Sequence, residues 1–461
     1  MSGDSCQLAV IGAGPAGLAA AIEASAVGLS VVVLDEQPLP GGQIYRSLEQ
    51  QKNGKRPSLG LDYEQGRPLL RAFRDSSADY RPLSQVWEVT PQRHIHYNCD
   101  GISRCLRAEF LIIAGGAQER PVPIPGWTLP GVMTAGAAQI LLKSAALGAP
   151  QAVFAGSGPL LYLVAWQYLQ AGLPIAAILE TTPRANYLRA APYLPAVLTL
   201  PSYLTKGFSM MAALRRAGVP WIKGVTGLRA EGDVQLEAIA YRVNGDWRRF
   251  ESDHLFLHQG IVPNTNLTVS IGCHHVWNER QTCWHVQRDD WGVTSVEGVA
   301  VAGDGGGIGG AIAAQLQGRL AALYAAHRQG SLGGAERDQR ARPLRRLLTK
   351  EYRTRAFLDT LYRPADWLRR PMEDETVVCR CEGVTAGEVR AAAALGCPGP
   401  NQLKAFTRAG MGPCQSRQCG LTVGELIAET SGMEMAETGY LRTRPPIKPI
   451  SLGSLATFDD S

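Results

Sequence analysis

The residues best placed to do chemistry are four cysteines near the C-terminus. Cys379 and Cys381 have one residue between them; after 32 intervening residues come Cys414 and Cys419, with four between. Thiolates in two close pairs can grip a small iron–sulfur cluster from both sides, and Gly410, Gly412, Pro413 and Gly420 supply tight turns whose N–H groups can reach the sulfurs. A zinc ion held by the same thiolates is the rival, although structural zinc sites favour about two to four residues between paired cysteines. Free thiols are the third reading. Cys397 lies outside both pairs and is left unligated. Cys6, Cys99, Cys105, Cys273 and Cys283 have no partner two or four residues away, the nearest being Cys99 and Cys105 with five between, which argues against a dithiol relay.

A different chemistry is legible near the N-terminus. Gly12-Ala13-Gly14-Pro15-Ala16-Gly17 spaces three glycines as a pyrophosphate cradle requires: the first for a tight turn, the second for close backbone approach, the third for helix packing on the strand. The helix N-terminus then faces the anion with unpaired N–H groups, worth about 0.3–2 kcal/mol. Asp35, 23 residues after Gly12, stands where an acid accepts hydrogen bonds from ribose hydroxyls, with Glu36 as the alternative. A second such turn, Gly156-Ser157-Gly158-Pro159-Leu160-Leu161, lacks the third glycine and carries a bulky leucine there instead. Glu180, 24 residues after Gly156, would favour NAD over NADP, Arg184 coming four residues later, yet the missing glycine points to a nucleotide fold kept as scaffold. His258, on the strand that returns the chain to the first fold, reads as a partly buried, hydrogen-bonded histidine.

Strands and helices must hold these groups. Residues 8–12 read as an apolar strand, 18–26 as an Ala-rich helix ending near Gly28, and 31–34 as a second buried strand, which closes a βαβ unit around the first turn. Residues 151–155 and 175–179 are the matching strands of the second unit. From 330 to 346 the chain turns to Gly, Arg and Gln, with Pro343, and reads as the exit from the fold. A basic amphipathic helix carrying Leu344, Leu347, Leu348, Tyr352 and Phe357 follows. Helices over 384–395 and 401–408 separate the cysteine pairs.

Composition bounds the whole. A chain of 461 residues implies two to four domains, and 45% hydrophobic with 19% charged residues is globular rather than disordered. Glycine, at 51 residues, is in excess, as phosphate-binding loops require. The formal charge is +5, but 337–355 holds eight basic and two acidic residues, so the remainder is near neutral and does not resemble a nucleic-acid binder. No stretch approaches the ~20 apolar residues of a membrane span. The leader carries Asp4 and no Lys or Arg, unlike a secretory signal, so the cytoplasm is expected, and there ten cysteines are thiols or ligands rather than disulfides.

Three further segments carry a resemblance. Residues 38–46, with Gly42 and Gln43, resemble the loop that runs along the flavin in two-dinucleotide-fold flavoprotein oxidoreductases. Residues 110–117, with Ala114 and Gly115, are similar to the strand-plus-glycine crossover of that family, Gly115 standing where Thr is usual. Residues 298–304, ending in Gly303 and Asp304, resemble its terminal strand, whose Asp contacts the ribityl or pyrophosphate part of FAD. The resemblance implies FAD in the first fold, held by Gly12, Gly14, Pro15, Ala16, Gly17, Asp35, Glu36, Gly42, Gln43, Ala114, Gly115, Gly303 and Asp304. The cysteine region resembles the bacterioferritin-associated-ferredoxin-like (BFD-like) [2Fe-2S] domain, which implies Cys379, Cys381, Cys414 and Cys419 as its metal ligands. With residues 121–132 (Pro-Val-Pro-Ile-Pro-Gly-Trp-Thr-Leu-Pro-Gly-Val) and 41–46, nearly the whole chain resembles the alpha subunits of heteromeric FAD-dependent amino- or imino-acid dehydrogenases, the family that takes in the opine oxidases, D-hydroxyproline dehydrogenase and, more distantly, hydrogen cyanide synthase. Ser416, where Gly is usual, is a minor departure.

The expected fold is therefore α/β: two nested Rossmann-like dinucleotide-binding domains of the FAD/NAD(P) flavoprotein type, plus a small helical C-terminal [2Fe-2S] domain. The expected boundaries are 1–120 with 262–330 for the FAD domain, 121–261 for the second fold, 331–371 for a basic helical linker, 372–435 for the cluster domain and 436–461 for a Pro-rich tail. The expected function is an FAD and [2Fe-2S] electron-transfer subunit of a dehydrogenase acting on a secondary amine (an opine, D-hydroxyproline or a related amino or imino acid). No catalytic residue is assigned. The implied partners are a substrate-oxidising FAD subunit (beta) and a small ferredoxin-like subunit (gamma), with contact to a membrane only indirect; an FMN between subunits is left open and NAD(P) is disfavoured. The alternatives are a stand-alone NAD(P)H-dependent reductase and a redox or iron sensor. The basic segment, with residues 442–449 as an extended arm, is expected to hold a partner near the cluster.

Overall fold

The computed structural model describes residues 4–53, 59–198 and 201–458; the first three residues of the leader and the last three of the tail lie outside them. The run at Ser5–Ile11 is a strand whose apolar residues Leu8, Ala9 and Val10 are fully buried. It lies in a parallel sheet between Val31–Leu34 and Ile102–Ile113, with Asp79–Arg81 beyond the former and Val299–Val301 against the latter. Ile102–Ile113 serves two structures. Its first half pairs antiparallel with His94–Cys99, itself paired with Gln85–Val89, and alternates exposed and buried residues. The second half is flanked by parallel neighbours and buried continuously from Phe110 to Ile113, as a strand covered on both faces must be.

The second unit repeats the plan. Five parallel strands run in the order Trp221–Lys223, Ile175–Glu180, Ala152–Ser157, Leu255–Gln259, Val132–Thr134, and an antiparallel meander (Val225–Glu231, Ala238–Val243, Asp246–Glu251) covers them. The chain leaves and re-enters the first unit through an antiparallel pair, Ala117–Glu119 with Ile261–Pro263.

The exit segment differs from its sequence reading. Within the linker expected to be helical, a single helix, Gly334–Arg353, begins already inside the Gly-, Arg- and Gln-rich exit and runs through Pro343. Burial of Ala341 and Leu344 against the first unit explains this, because tertiary packing outweighs the local Gly, Gln and Pro signals. Arg337 and Arg345 lie over the Trp291 ring at 4.6 and 4.3 Å, so part of the basic stripe is spent within the chain. The cluster domain is a short hairpin, Val377–Cys379 with Val384–Thr385, and three helices, Ala386–Ala394, Pro400–Thr407 and Gly420–Ser431, around their own core. A reciprocal cap between Thr385 and Glu388 starts the first helix. The tail, expected to extend toward a partner, is tied to its own chain: Ile447 is buried among the apolar residues of the first unit, its N–H bonds the Trp87 carbonyl at 2.9 Å, and Lys448 pairs with Glu36. Among the described residues no helix is long and apolar enough to cross a membrane.

Candidate functional site

The first glycine turn is fixed by its neighbours. Gly12 N–H bonds the Leu34 carbonyl at 2.8 Å, and Gly41 N–H bonds the Ala13 carbonyl at 2.8 Å, which folds the 38–46 loop back over the turn. A Cβ on Gly17 would lie 1.8 Å from the Gly12 carbonyl oxygen, and one on Gly42, at φ 59°, would lie 2.7 Å from the Gly14 Cα. Only glycine fits at either place. Pro15 opens the helix Pro15–Ala26, and Ala16 is buried at its start. Asp35 ends its strand buried, its carboxylate accepting from the N–H of Ala13 and, at 2.7 Å, of Gln37. Burial raises its pKa against the lowering effect of those two N–H groups. Glu36 points instead to Lys448 of the tail.

The crossover and terminal strand arrive at the same place. Ala114 N–H bonds the Ile11 carbonyl at 2.8 Å, and Ala302 N–H bonds the Ile113 carbonyl at 3.1 Å. Gly305 packs against Gly115 and Gly116. Gly303 N–H donates to Gln317 Oε1, and Asp304 Oδ1 accepts from Gly309 and Gly310 N–H at 2.8 and 2.9 Å, at the start of helix Ala311–Arg328. The structure therefore brings Gly12, Gly14, Pro15, Ala16, Gly17, Asp35, Gly42, Ala114, Gly115, Gly303 and Asp304 together at the ends of the parallel strands, with Glu36 turned to the tail. Gln43 joins them through its backbone. Its carbonyl and that of Ile44 accept from Lys143 Nζ, both at 3.0 Å.

Lys143 is a residue the sequence reading missed. It sits on helix Ala135–Ala145 of the second unit, 2% exposed, and also donates to Gln139 Oε1 at 3.1 Å. Burial pushes its pKa down to about 7, with the Arg46 charge adding to the effect. The signal was available: it is the single charged residue of its helix.

The second turn keeps the shape and loses the openings. Leu161 is fully buried. Both Glu180 oxygens are occupied, by Tyr187 Oη at 2.7 Å and Trp221 Nε1 at 2.8 Å, while Gln259 accepts from Ser157 Oγ and donates to Thr181 Oγ1. His258 is buried and paired through Nδ1 with Glu119 Oε1 at 2.6 Å, and Glu119 Oε2 accepts from Gly136 N–H at 2.7 Å.

The four cysteines of the C-terminal domain converge as two contacting pairs, Cys379 with Cys419 and Cys381 with Cys414. Among the described residues no three such ligands gather about one ion-sized point. Cys379 and Cys419 are buried, Cys414 half-buried and Cys381 exposed. A hydrogen bond from Cys419, with the N–H groups of Gly410, Glu382 and Cys381, lowers the Cys379 pKa to about 6 despite burial, and the same contact pushes Cys419 up. Gly410 N–H lies 3.5 Å from the Cys379 sulfur, and a Cβ on Gly412 would lie 2.3 Å from Cys381 Cβ. Paired thiols, N–H groups directed at sulfur and a glycine-walled loop fit a small iron–sulfur cluster. Cys397 is buried elsewhere, its thiol 3.4 Å from the Gly399 carbonyl. The cysteine loop also touches the first fold: Gln118 Nε2 donates to the Arg417 carbonyl at 2.9 Å and Asn266 Nδ2 to the Gln415 carbonyl at 2.6 Å.

Two family assignments follow this division. Residues 6–330 match the pyridine nucleotide-disulphide oxidoreductase family, and residues 377–429 match the BFD-like [2Fe-2S] binding domain. The chain belongs to the pyridine nucleotide-disulphide oxidoreductase family. It is a flavoprotein oxidoreductase that carries a BFD-like [2Fe-2S] domain. It is 43% identical to the A-type subunit of opine oxidase from Agrobacterium tumefaciens (strain Ach5) over 98% of this chain and 92% of that one, and 41% identical to the Rhizobium meliloti protein of the same name over 97% and 86%. The HcnB subunit of hydrogen cyanide synthase from Pseudomonas aeruginosa is 34% identical over 96% of both chains. The crystal structure of L-proline dehydrogenase from P. horikoshii superposes with a TM-score of 0.73 at 18% identity, covering 98% of this chain and 79% of that one, a likeness of fold.

Proposed function

We propose that this chain is the FAD and [2Fe-2S] electron-transfer subunit of a multi-subunit dehydrogenase that oxidises a secondary amine, an opine, D-hydroxyproline or a related amino or imino acid. The observation that carries the reading is the Gln118–Arg417 contact, which joins the cysteine loop to the strand three residues beyond Gly115. Such a contact supports the reading, because relay between two cofactors of one chain requires their sites to lie close together. FAD, when bound, exchanges electrons in pairs and the cluster passes them singly.

The chain's own residues do the rest. The Gly12–Gly17 turn and the N-terminus of the following helix bind the pyrophosphate, and Asp35 accepts from the ribose. Gly42, Gln43, Ala114, Gly115, Gly303 and Asp304 border the flavin, and Lys143 orients the Gln43–Ile44 backbone. Cys379, Cys381, Cys414 and Cys419 hold the cluster, with Gly410 N–H donating to sulfur. Substrate oxidation falls to a separate FAD subunit (beta), with a small ferredoxin-like subunit (gamma) as a further partner, in the cytoplasm. The relatives named as subunits of an oxidase and a synthase support this arrangement.

Purification with the cysteines intact, followed by visible spectroscopy and flavin, iron and zinc analysis, tests the cofactors; FMN is resolved from FAD in the same extract. Zinc without iron, or a colourless protein, overturns the reading. The rival, an NAD(P)H reductase, requires rapid flavin bleaching on anaerobic mixing with NADH or NADPH. The buried Leu161 where the third glycine would stand, with aromatic side chains on Glu180, argues against that outcome. Co-purification of partner chains from the native source, and amine turnover by the assembly, test the subunit role and exclude a sensor.

A further inference from the structure

Between the cysteine loop and the tail lies an open cavity of about 420 Å³, within the size range of small-ligand sites. Its wall on one side is the loop at Gly410, Pro413 and Gln415, which flanks Cys414. On the other side is the tail from Leu441 to Pro449. Four cations face it, Lys404, Arg442, Arg444 and Lys448, and no acidic residue lines it. None of the ion pairs among the described residues involves Lys404, Arg442 or Arg444, whereas Lys448 is shared with Glu36 and Arg408, on the same stretch of chain, pairs with Glu382. The charges feel one another: burial and then the charges of Arg444 and Arg442 hold the Lys404 ammonium below its usual range. The Gly12–Gly17 turn contributes nothing to the lining, although Lys448 reaches from the cavity wall to Glu36.

We infer that this cavity is a binding site for a small polyanion, a compact molecule carrying two or more negative charges on phosphate or carboxylate groups. Clustered cations without counter-charges repel one another in the folded state, and a multivalent oxyanion relieves that repulsion through charge-assisted hydrogen bonds. A guanidinium pair at Arg442 and Arg444 offers forked donors to such oxygens. The bound anion spans the seam between tail and cysteine loop. It therefore secures the tail, whose Ile447 and Lys448 reach the first fold, against the loop that carries Cys414. The inference is independent of the electron-transfer reading.

Calorimetric titration of the full-length holoprotein with sodium pyrophosphate and with citrate, at constant ionic strength, tests it. One saturable site per chain is expected, with a melting temperature that climbs with ligand concentration. Tighter binding of pyrophosphate identifies a phosphate ester as the ligand class, and tighter binding of citrate a polycarboxylate. The R442Q/R444Q double variant, and K404Q separately, should weaken binding by about tenfold or more while flavin and iron content stay at the parent level. R248Q, on an exposed strand of the second unit, should bind as the parent does. Non-saturable heats with both anions, equal affinity in the double variant, or an equal loss in R248Q would each overturn the proposal.

Discussion

The two nucleotide folds of this chain share a plan and differ in what they leave open. Each has a parallel strand, a glycine turn, a helix begun by proline and a second strand ending in an acid. In the first, a glycine at position 17 presses the helix to within backbone contact of Gly12. In the second, Leu161 fills that place and the terminal acid is consumed by Tyr187 and Trp221. Asp35 also has a donor on each oxygen, but these are backbone N–H groups of Ala13 and Gln37, whereas Glu180 is held by two aromatic side chains; the lesson is that what replaces the third glycine and what packs on the acid distinguish the folds together.

The largest way to break the contrast is Gly17→Leu, which copies the second turn into the first. The side chain would meet the Gly12 carbonyl, so flavin-free and poorly soluble protein is expected; a yellow, stable variant refutes the role given to this turn. The reciprocal truncation, Leu161→Ala, should cost about 2–5 kcal/mol in denaturant unfolding, as for other buried leucines, while flavin content holds. Loss of flavin from this variant instead would mean that the second turn supports the cofactor.

The acids sharpen the comparison further. Glu180→Gln should lose about 1–3 kcal/mol, since the amide cannot accept from Tyr187 and Trp221 alike, with flavin affinity unchanged. Asp35→Asn should weaken flavin retention on dialysis. Equal flavin loss in both variants would erase the distinction.

A pH dependence tests Lys143, which joins the two folds. Its folded pKa, about 7, lies below its ordinary value near 10.5, so between these values the unfolded chain binds the extra proton. Stability from this group therefore rises with pH from about 7 toward 10 and is lowest below 7, where the folded state must carry the buried charge. Chemical denaturation across that range should show a shallower slope in Lys143→Met than in the parent. Identical slopes would place the titration elsewhere.

Much of the first fold was legible before any coordinates: strand, turn, helix and acid follow one another within the first 35 residues, and local hydrophobic period and glycine spacing are properties of contiguous sequence. The cysteine pairs were legible for the same reason. Misread was whatever depends on distant partners. The helix through Pro343 exists because Ala341 and Leu344 find the first unit's core, and the tail that read as an extended arm toward a partner is held within the chain by Trp87, Glu36 and Arg417.

By itself the sequence determined which residues have the chemistry to hold a dinucleotide and a cluster, because glycine, acid and thiol act through their own type and spacing. Only the tertiary structure decided which of them remain available. Glu36 is taken by Lys448, Glu180 by Tyr187 and Trp221, and the basic helix in part by Trp291, while Lys143 is carried from the second unit to the backbone of Gln43 and Ile44. The physical reason is that a hydrogen-bonding group or a charge can be satisfied by any partner that folding brings near, and that partner is set by packing between segments here 7 to 412 residues apart.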